Sequence, residues 1–193
     1  MQLHVTPDTF ANLDLGIGDL ELRLFDRFLL RRNQRFSSFS PDAVDTSDFW
    51  SNTAGLSAFY PLNDALSIHG TVDLTRDKSL EEGFDEINND TLTGSAGLTL
   101  SPNGEYTLGV QGTLSQRDYD TDFNNDADVS SVGLFAHSPI SDFTRLEANG
   151  GYQNFDFSTG GASGDTDQLA DYYVSLAIRN ELNDMMTHSL IGG

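Results

Sequence analysis

Residues 91–117 alternate apolar and small polar side chains with a period of two, interrupted once by a turn, and few folds accept that pattern. Leu92, Gly94, Ala96, Leu98 and Leu100 share one face of the first half, and Thr91, Thr93, Ser95, Gly97 and Thr99 share the other. Ser101, Pro102, Asn103 and Gly104 supply the turn: proline presets one φ and glycine accepts a positive one. Tyr106, Leu108, Val110, Gly112 and Leu114 then resume the apolar face, against Thr107, Gly109, Gln111, Thr113 and Ser115. This is a β-hairpin, with each strand about twice the ~5–6 residues usual in a globular sheet. A strand that crosses a membrane needs ~9–11 residues.

The rest of the chain repeats this unit. Leu13, Leu15 and Ile17 precede a turn at Gly18, and Leu20, Leu22 and Leu24 follow it. The alternation blurs over residues 26–30, where a bulge is expected. Further strands are expected over residues 50–60, 66–75, 131–137, 144–153 and 172–179, and from Met186 onward. Short turns near Gly18, Leu62, Asn103, Ile140 and Asn183 recur at roughly forty residues. Between them lie long polar loops over residues 31–48, 77–90, 118–128 and 158–168. Outer-membrane barrels have short turns at their periplasmic end and long loops at the other.

Composition narrows the function. Thirty acidic residues against ten basic ones give a net charge of −20. That excludes general nucleic-acid binding, which requires Lys and Arg to neutralise phosphates. The absence of cysteine removes disulfides and thiolate metal sites. No apolar run approaches the ~20 residues of a membrane helix. The mean hydropathy of −0.35 is no objection to a barrel, whose strands alternate.

A soluble antiparallel sandwich also alternates. Against it stand the long, uniform strands and the strict succession of short and long connections. Gly70, Gly94, Gly112 and Gly150 on the apolar face would leave holes in a packed core, but not against fluid lipid. Phe49, Trp50, Tyr60, Tyr106, Phe143, Tyr152 and Tyr172 gather near strand ends, where interfacial aromatic belts form. The reading is an all-β, antiparallel up-and-down transmembrane barrel occupying the whole chain. The alternative is a soluble, calcium-dependent β-rich binding module.

Residues 13–20 (Leu13 through Gly16 and Gly18 to Leu20) and 24–28 (Leu24 to Phe28) resemble the outer-membrane β-barrel porins of Gram-negative-type bacteria. So do residues 52–57, the Leu62-Asn63-Asp64 turn and Thr187-His188-Ser189-Leu190. The resemblance implies an antiparallel barrel in the bacterial outer membrane and passive passage of small hydrophilic solutes. It implies lipid and lipopolysaccharide as surroundings, no enzyme activity and no cofactor. Porins often assemble, so a homo-oligomer is an open expectation. The start at Met1 has no basic, apolar leader, and the last strand lacks a terminal aromatic. With short turns periplasmic, the strand before Gly18 would run downward. The expectation is therefore roughly ten strands of a larger barrel, the tenth incomplete.

With the apolar face toward lipid, the polar face lines the lumen. Glu21 and Arg23, Arg145 and Glu147, and Arg179 and Glu181 each stand two apart on it, all near the short-turn end. They are expected to form a belt of opposite charges, acting either as an ion-selecting constriction or as a network that holds register. His69, Asp73, Gln111, Arg117 and His137 are expected on the same face, and Arg27 is of uncertain parity. The histidines have no metal-ligand spacing. Asp118, Asp120, Asp122, Asn124 and Asp126 place oxygens at alternate positions, as calcium loops do. The sixth position is not glycine and the twelfth is Val129, so an EF-hand is not expected. What remains is weak divalent-cation binding, bridging to lipopolysaccharide phosphates, or a solvated acidic loop. A surface-structural or export barrel with such loops is the alternative function.

Overall fold

Ten strands follow one another in chain order, each antiparallel to the next, in one sheet without crossovers. They are β1 (Asp8–Ile17), β2 (Leu20–Phe36), β3 (Val44–Pro61), β4 (Leu66–Ser79), β5 (Asn89–Leu100), β6 (Thr107–Tyr119), β7 (Ala127–Ser141), β8 (Thr144–Phe157), β9 (Gln168–Asn183) and β10 (Met186–Gly192). The sheet is open, with β1 and β10 as its edges. The computed structural model describes residues 8–36, 44–80, 85–103, 105–121, 124–141, 143–158, 168–183 and 186–192; for residues 31–36, 44–47, 181–183 and 186–192 it describes the backbone alone.

Local chemistry sets the short turns. Gly18 turns the chain between β1 and β2 with a φ of +62°, a conformation that favours glycine. The Asn63 side-chain oxygen accepts hydrogen bonds from the Ala65 and Leu66 amides, both at 2.9 Å. Asn103 does the same for Glu105 and Tyr106, at 3.3 and 3.2 Å. Both are Asx turns. Gly104, expected to carry a positive φ, lies outside the described residues.

Two sequence expectations fail here. No bulge forms over residues 26–30: β2 stays in continuous register with β1 and β3 there. Asp26 faces the apolar side without displacing the backbone, because its carboxylate accepts a hydrogen bond from Asn52 on β3 at 2.8 Å. Register instead slips at Pro139/Ser141, where proline has no amide to give the ladder, and at Met186/Thr187. The polar segment 31–48 is mostly strand, since β2 pairs with β3 out to Phe36 and Val44.

Paired residues share a face, so the registers sort the whole sheet. One face carries Leu22, Leu56, Val72, Gly94, Leu114 and Ser130 with their alternates, and the other carries Arg23, Ser57, Thr71, Ser95, Thr113 and Ser131. The polar face is concave. A Cβ built on Gly97 would meet His69 at 2.6 Å, and one on Gly55 would meet Asp73 at 2.7 Å. On the apolar face, no atom lies within 4 Å of such a Cβ at Gly94, and the nearest at Gly112 is 3.7 Å away. Curling closes the polar side and opens the apolar one.

Among the described residues there is no second layer. Ala177 is the buried apolar residue among the described residues, while Leu114, Leu134 and Val174 remain 69, 67 and 73% exposed. Leaving such a side chain in water instead of burying it forgoes about 1.5–3 kcal/mol. A dozen of them exceed the ~5–15 kcal/mol net stability of a whole domain. The described residues form one sheet with no second sheet packed on its apolar face, as a barrel wall has and a soluble sandwich does not. The apolar band ends toward the long loops at outward-facing Asp26, Asn52, Arg76, Asp90, Asp128 and Asp156. Aromatics mark its borders: Phe28 stacks on Trp50 at 6.1 Å and Tyr152 meets Tyr172 at 5.2 Å. Phe49 departs from the expected belt, because it pairs with Ser79 on the inner face.

The strands are staggered. One row of directly paired inner residues runs Glu21, Phe59, His69, Gly97, Gln111, Gly133, Gly151, Tyr173. It starts beside a short turn and ends in the long-loop half of β9. That stagger is the shear a tilted barrel wall requires. An arginine at Leu134, in the middle of the apolar band, is expected to cost about 2–4 kcal/mol, and one at lumen-facing Ser131 much less. Equilibrium unfolding of the full-length variants from lipid vesicles measures both.

Candidate functional site

Charges on the inner wall pair across strands rather than along them. The Arg23 guanidinium forks onto Asp14 of β1, with Nε donating to Oδ1 at 2.6 Å and Nη2 to Oδ2 at 3.4 Å. Arg27 is on the same face and forks onto Asp8 at 3.2 and 2.9 Å. Arg179 Nε meets Glu147 Oε2 at 3.2 Å. Among the described residues these ion pairs run across strands, where neighbours lie ~5 Å apart against ~6.6 Å for residues two apart in one strand. Glu181 pairs with Thr187 in the ladder, and its side chain lies outside the described residues.

Nor is the belt continuous. Asp14, Glu21, Arg23 and His69 line one hollow of about 510 Å³ over β1–β4. Arg145, Glu147 and His137 line another of about 680 Å³ at the short-turn end of β6–β8. Between them the wall at this end is hydroxyl and glycine, through Thr99, Thr107 and Gly109.

Higher on the wall hydroxyls pair across strands. Thr53 and Thr75 share a hydrogen bond at 2.9 Å, and Thr93 and Ser115 one at 3.1 Å. Asp73 sits among them, opposite Gly55 and Thr93. Arg117, toward the long loops, donates to Thr91 at 3.2 Å. His69 Nδ1 lies 3.4 Å from Thr99 Oγ1.

Phe25, Phe135 and Tyr173 also lie on the inner face. Each lies over a glycine directly opposite it: Phe25 over Gly55, Phe135 over Gly109 and Tyr173 over Gly151, as His69 does over Gly97. The signal was available, since a polar-face aromatic whose register partner is glycine marks a covered gap. Phe135 also stands 5.7 Å from His137 and 6.5 Å from His69, ring centre to ring centre.

The long-loop end is knit together. Lys78 Nζ meets Asp120 at 2.7 Å and Asp90 at 3.4 Å. Asn88 accepts from the Ser79 amide at 2.6 Å, and the Asn124 amide donates to the Glu86 carbonyl. Asp126 accepts from the Tyr119 amide at 2.7 Å. The acidic residues expected to approach a calcium ion are thus turned to different partners: Asp118 faces Asp90 on the outer face, Asp120 binds Lys78, and Asp126 caps the β6 end. Asp122 lies outside the described residues. Among the described residues no three His, Cys, Asp or Glu side chains converge on one point as metal ligands would.

This geometry has known counterparts. A structure described as outer-membrane expressed OmpT of Vibrio cholerae matches with a TM-score of 0.63 at 16% identity, over 89% of this chain and 55% of that one. A second, OmpTdeltaL8, a loop L8 deletion mutant described as an outer membrane protein of Vibrio cholerae, matches at 0.50 and 13% identity, over 90% of this chain and 80% of that one. No family model and no curated protein matches the sequence. The fold is the antiparallel up-and-down sheet of bacterial outer-membrane β-barrels, and the chain spans about half the length of OmpT, 55%.

The covered glycines yield a sharp contrast. Gly109→Ala drives a methyl into the Phe135 ring and is expected to cost about 1–3 kcal/mol. Gly94→Ala meets open space and is expected to be neutral or stabilising by about 0.4–1 kcal/mol. Denaturant midpoints of the full-length variants in lipid decide it.

Proposed function

We propose that this chain forms part of the wall of an outer-membrane channel through which small hydrophilic solutes diffuse. The observation that carries this reading is the opposition of the two faces. The outside is an apolar band, and the inner face carries hydroxyls, amides and cross-paired charges, with no layer among the described residues packed upon it. Lipid and lipopolysaccharide would surround the one, and water and solute would fill the other. The wall supplies no cofactor and no bond-making step. A purely structural or export barrel is the second reading. The tie between two long connections, from the Asn124 side-chain amide to the Glu86 carbonyl, favours it, since tied loops can cover a mouth.

Conductance of the full-length protein in planar bilayers separates the two: stable single-channel currents support diffusion, and a silent, correctly folded barrel supports the structural role. In a conducting protein the Glu147–Arg179 pair is expected to bias ions. A unit charge about 8 Å from the ion path in water contributes about 0.5 kcal/mol, on the order of twofold in occupancy. Glu147→Gln should therefore raise the anion-to-cation permeability ratio by about that factor, and Arg179→Gln should lower it. Reversal potentials in a salt gradient measure both. A pair that only holds register would change unfolding and leave the ratio alone.

A further inference from the structure

One hollow on the inner wall differs in chemistry from the charged ones. It holds about 440 Å³ over β6–β9, and no Asp, Glu, Lys or Arg lines it. Its floor is Gly133, paired with Gly151, and the Tyr173 hydroxyl reaches over both. Phe135 forms one side, continuous with His137 and His69 as a shelf of three rings. Gln111 stands between Gly97 and Gly133 in its row, and Asn149 is opposite Phe135. Neither amide makes a hydrogen bond to another described residue. Each carries two donors and an acceptor oxygen that face the open hollow.

We infer that this hollow binds a neutral pyranose, so that the solutes of the proposed channel include small sugars; the biological sense of the site rests on that channel reading. A pyranose presents a flat face of C–H groups and a rim of hydroxyls. The face matches the electron-rich rings of Phe135 and Tyr173. The rim matches Gln111, Asn149 and the Tyr173 hydroxyl. An ion would find no counter-charge among the lining residues, and an apolar solute would strand the amides. The volume is within the ~300–1,000 Å³ of ordinary small-ligand sites. The hollow is open to the lumen, which suits a solute that must leave as well as bind.

The test uses the full-length protein with D-glucose and maltose, and gluconate as the charged comparison. Sugar-induced interruptions of the current in KCl report binding during passage. Saturation-transfer NMR in an amine-oxide detergent, which carries no sugar headgroup, reports binding without conduction. Glucose or maltose should bind weakly and better than gluconate. Phe135→Ala and Gln111→Ala should each weaken binding about tenfold. Gln111→Ala breaks no hydrogen bond within the described protein, so it reads binding even where Phe135→Ala disturbs packing. A conducting protein that binds neither sugar overturns the inference and leaves the channel reading standing. So does binding that both substitutions leave unchanged, or gluconate bound as tightly as glucose. Sugar binding by a protein that does not conduct supports the subsite and sinks the channel.

Discussion

The hydrogen-bonded ladder of a single layer is the constraint on which the rest depends. Each strand pairs its backbone with its chain neighbours, from Asp8↔Leu29 at one edge to Gly192↔Leu176 at the other. Among the described residues the apolar face has no protein to pack against. Only an apolar solvent can cover it. Membrane solvation is thus what makes the polar inner face a surface instead of a core. The same side-chain alternation in water would have demanded a partner layer.

Curling that layer then shapes the inner wall. The concave side crowds side chains, so glycines there are covered by rings from directly paired positions, as with Phe135 over Gly109 and His69 over Gly97. The convex side leaves Gly94 and Gly112 uncrowded. Stagger places Glu21 and Tyr173 in one paired row but at different distances from the short turns, so the charged hollows and the neutral, ring-lined hollow fall at different heights.

Strand identity was legible in the sequence because a period of two survives wherever one face meets lipid, as from Leu66 to Leu74. Strand ends were not. Beyond the apolar band both faces are polar, and residues 31–36 and 44–48 read as loop although their backbones stay paired. Asp26 looked like a bulge because its outward carboxylate breaks the pattern, and its Asn52 partner sits twenty-six residues away. The inner charges were legible by face but not by partner: Arg23 chooses Asp14 and Arg179 chooses Glu147, across strands, where spacing along the chain says nothing. The ring-over-glycine pairs were hidden for the same reason. They are visible only once register is known, since a one-residue slip would dissolve every one of them.

The most direct test of the central claim is whether lipid is the folding solvent. The full-length protein, unfolded in urea, is diluted into buffer, or into buffer with phospholipid vesicles, and followed by far-UV circular dichroism and gel mobility before and after boiling. The account predicts β-structure and a boiling-sensitive mobility shift only with lipid. A monomer that acquires the same β-structure in plain buffer, with no shift on boiling, would contradict it.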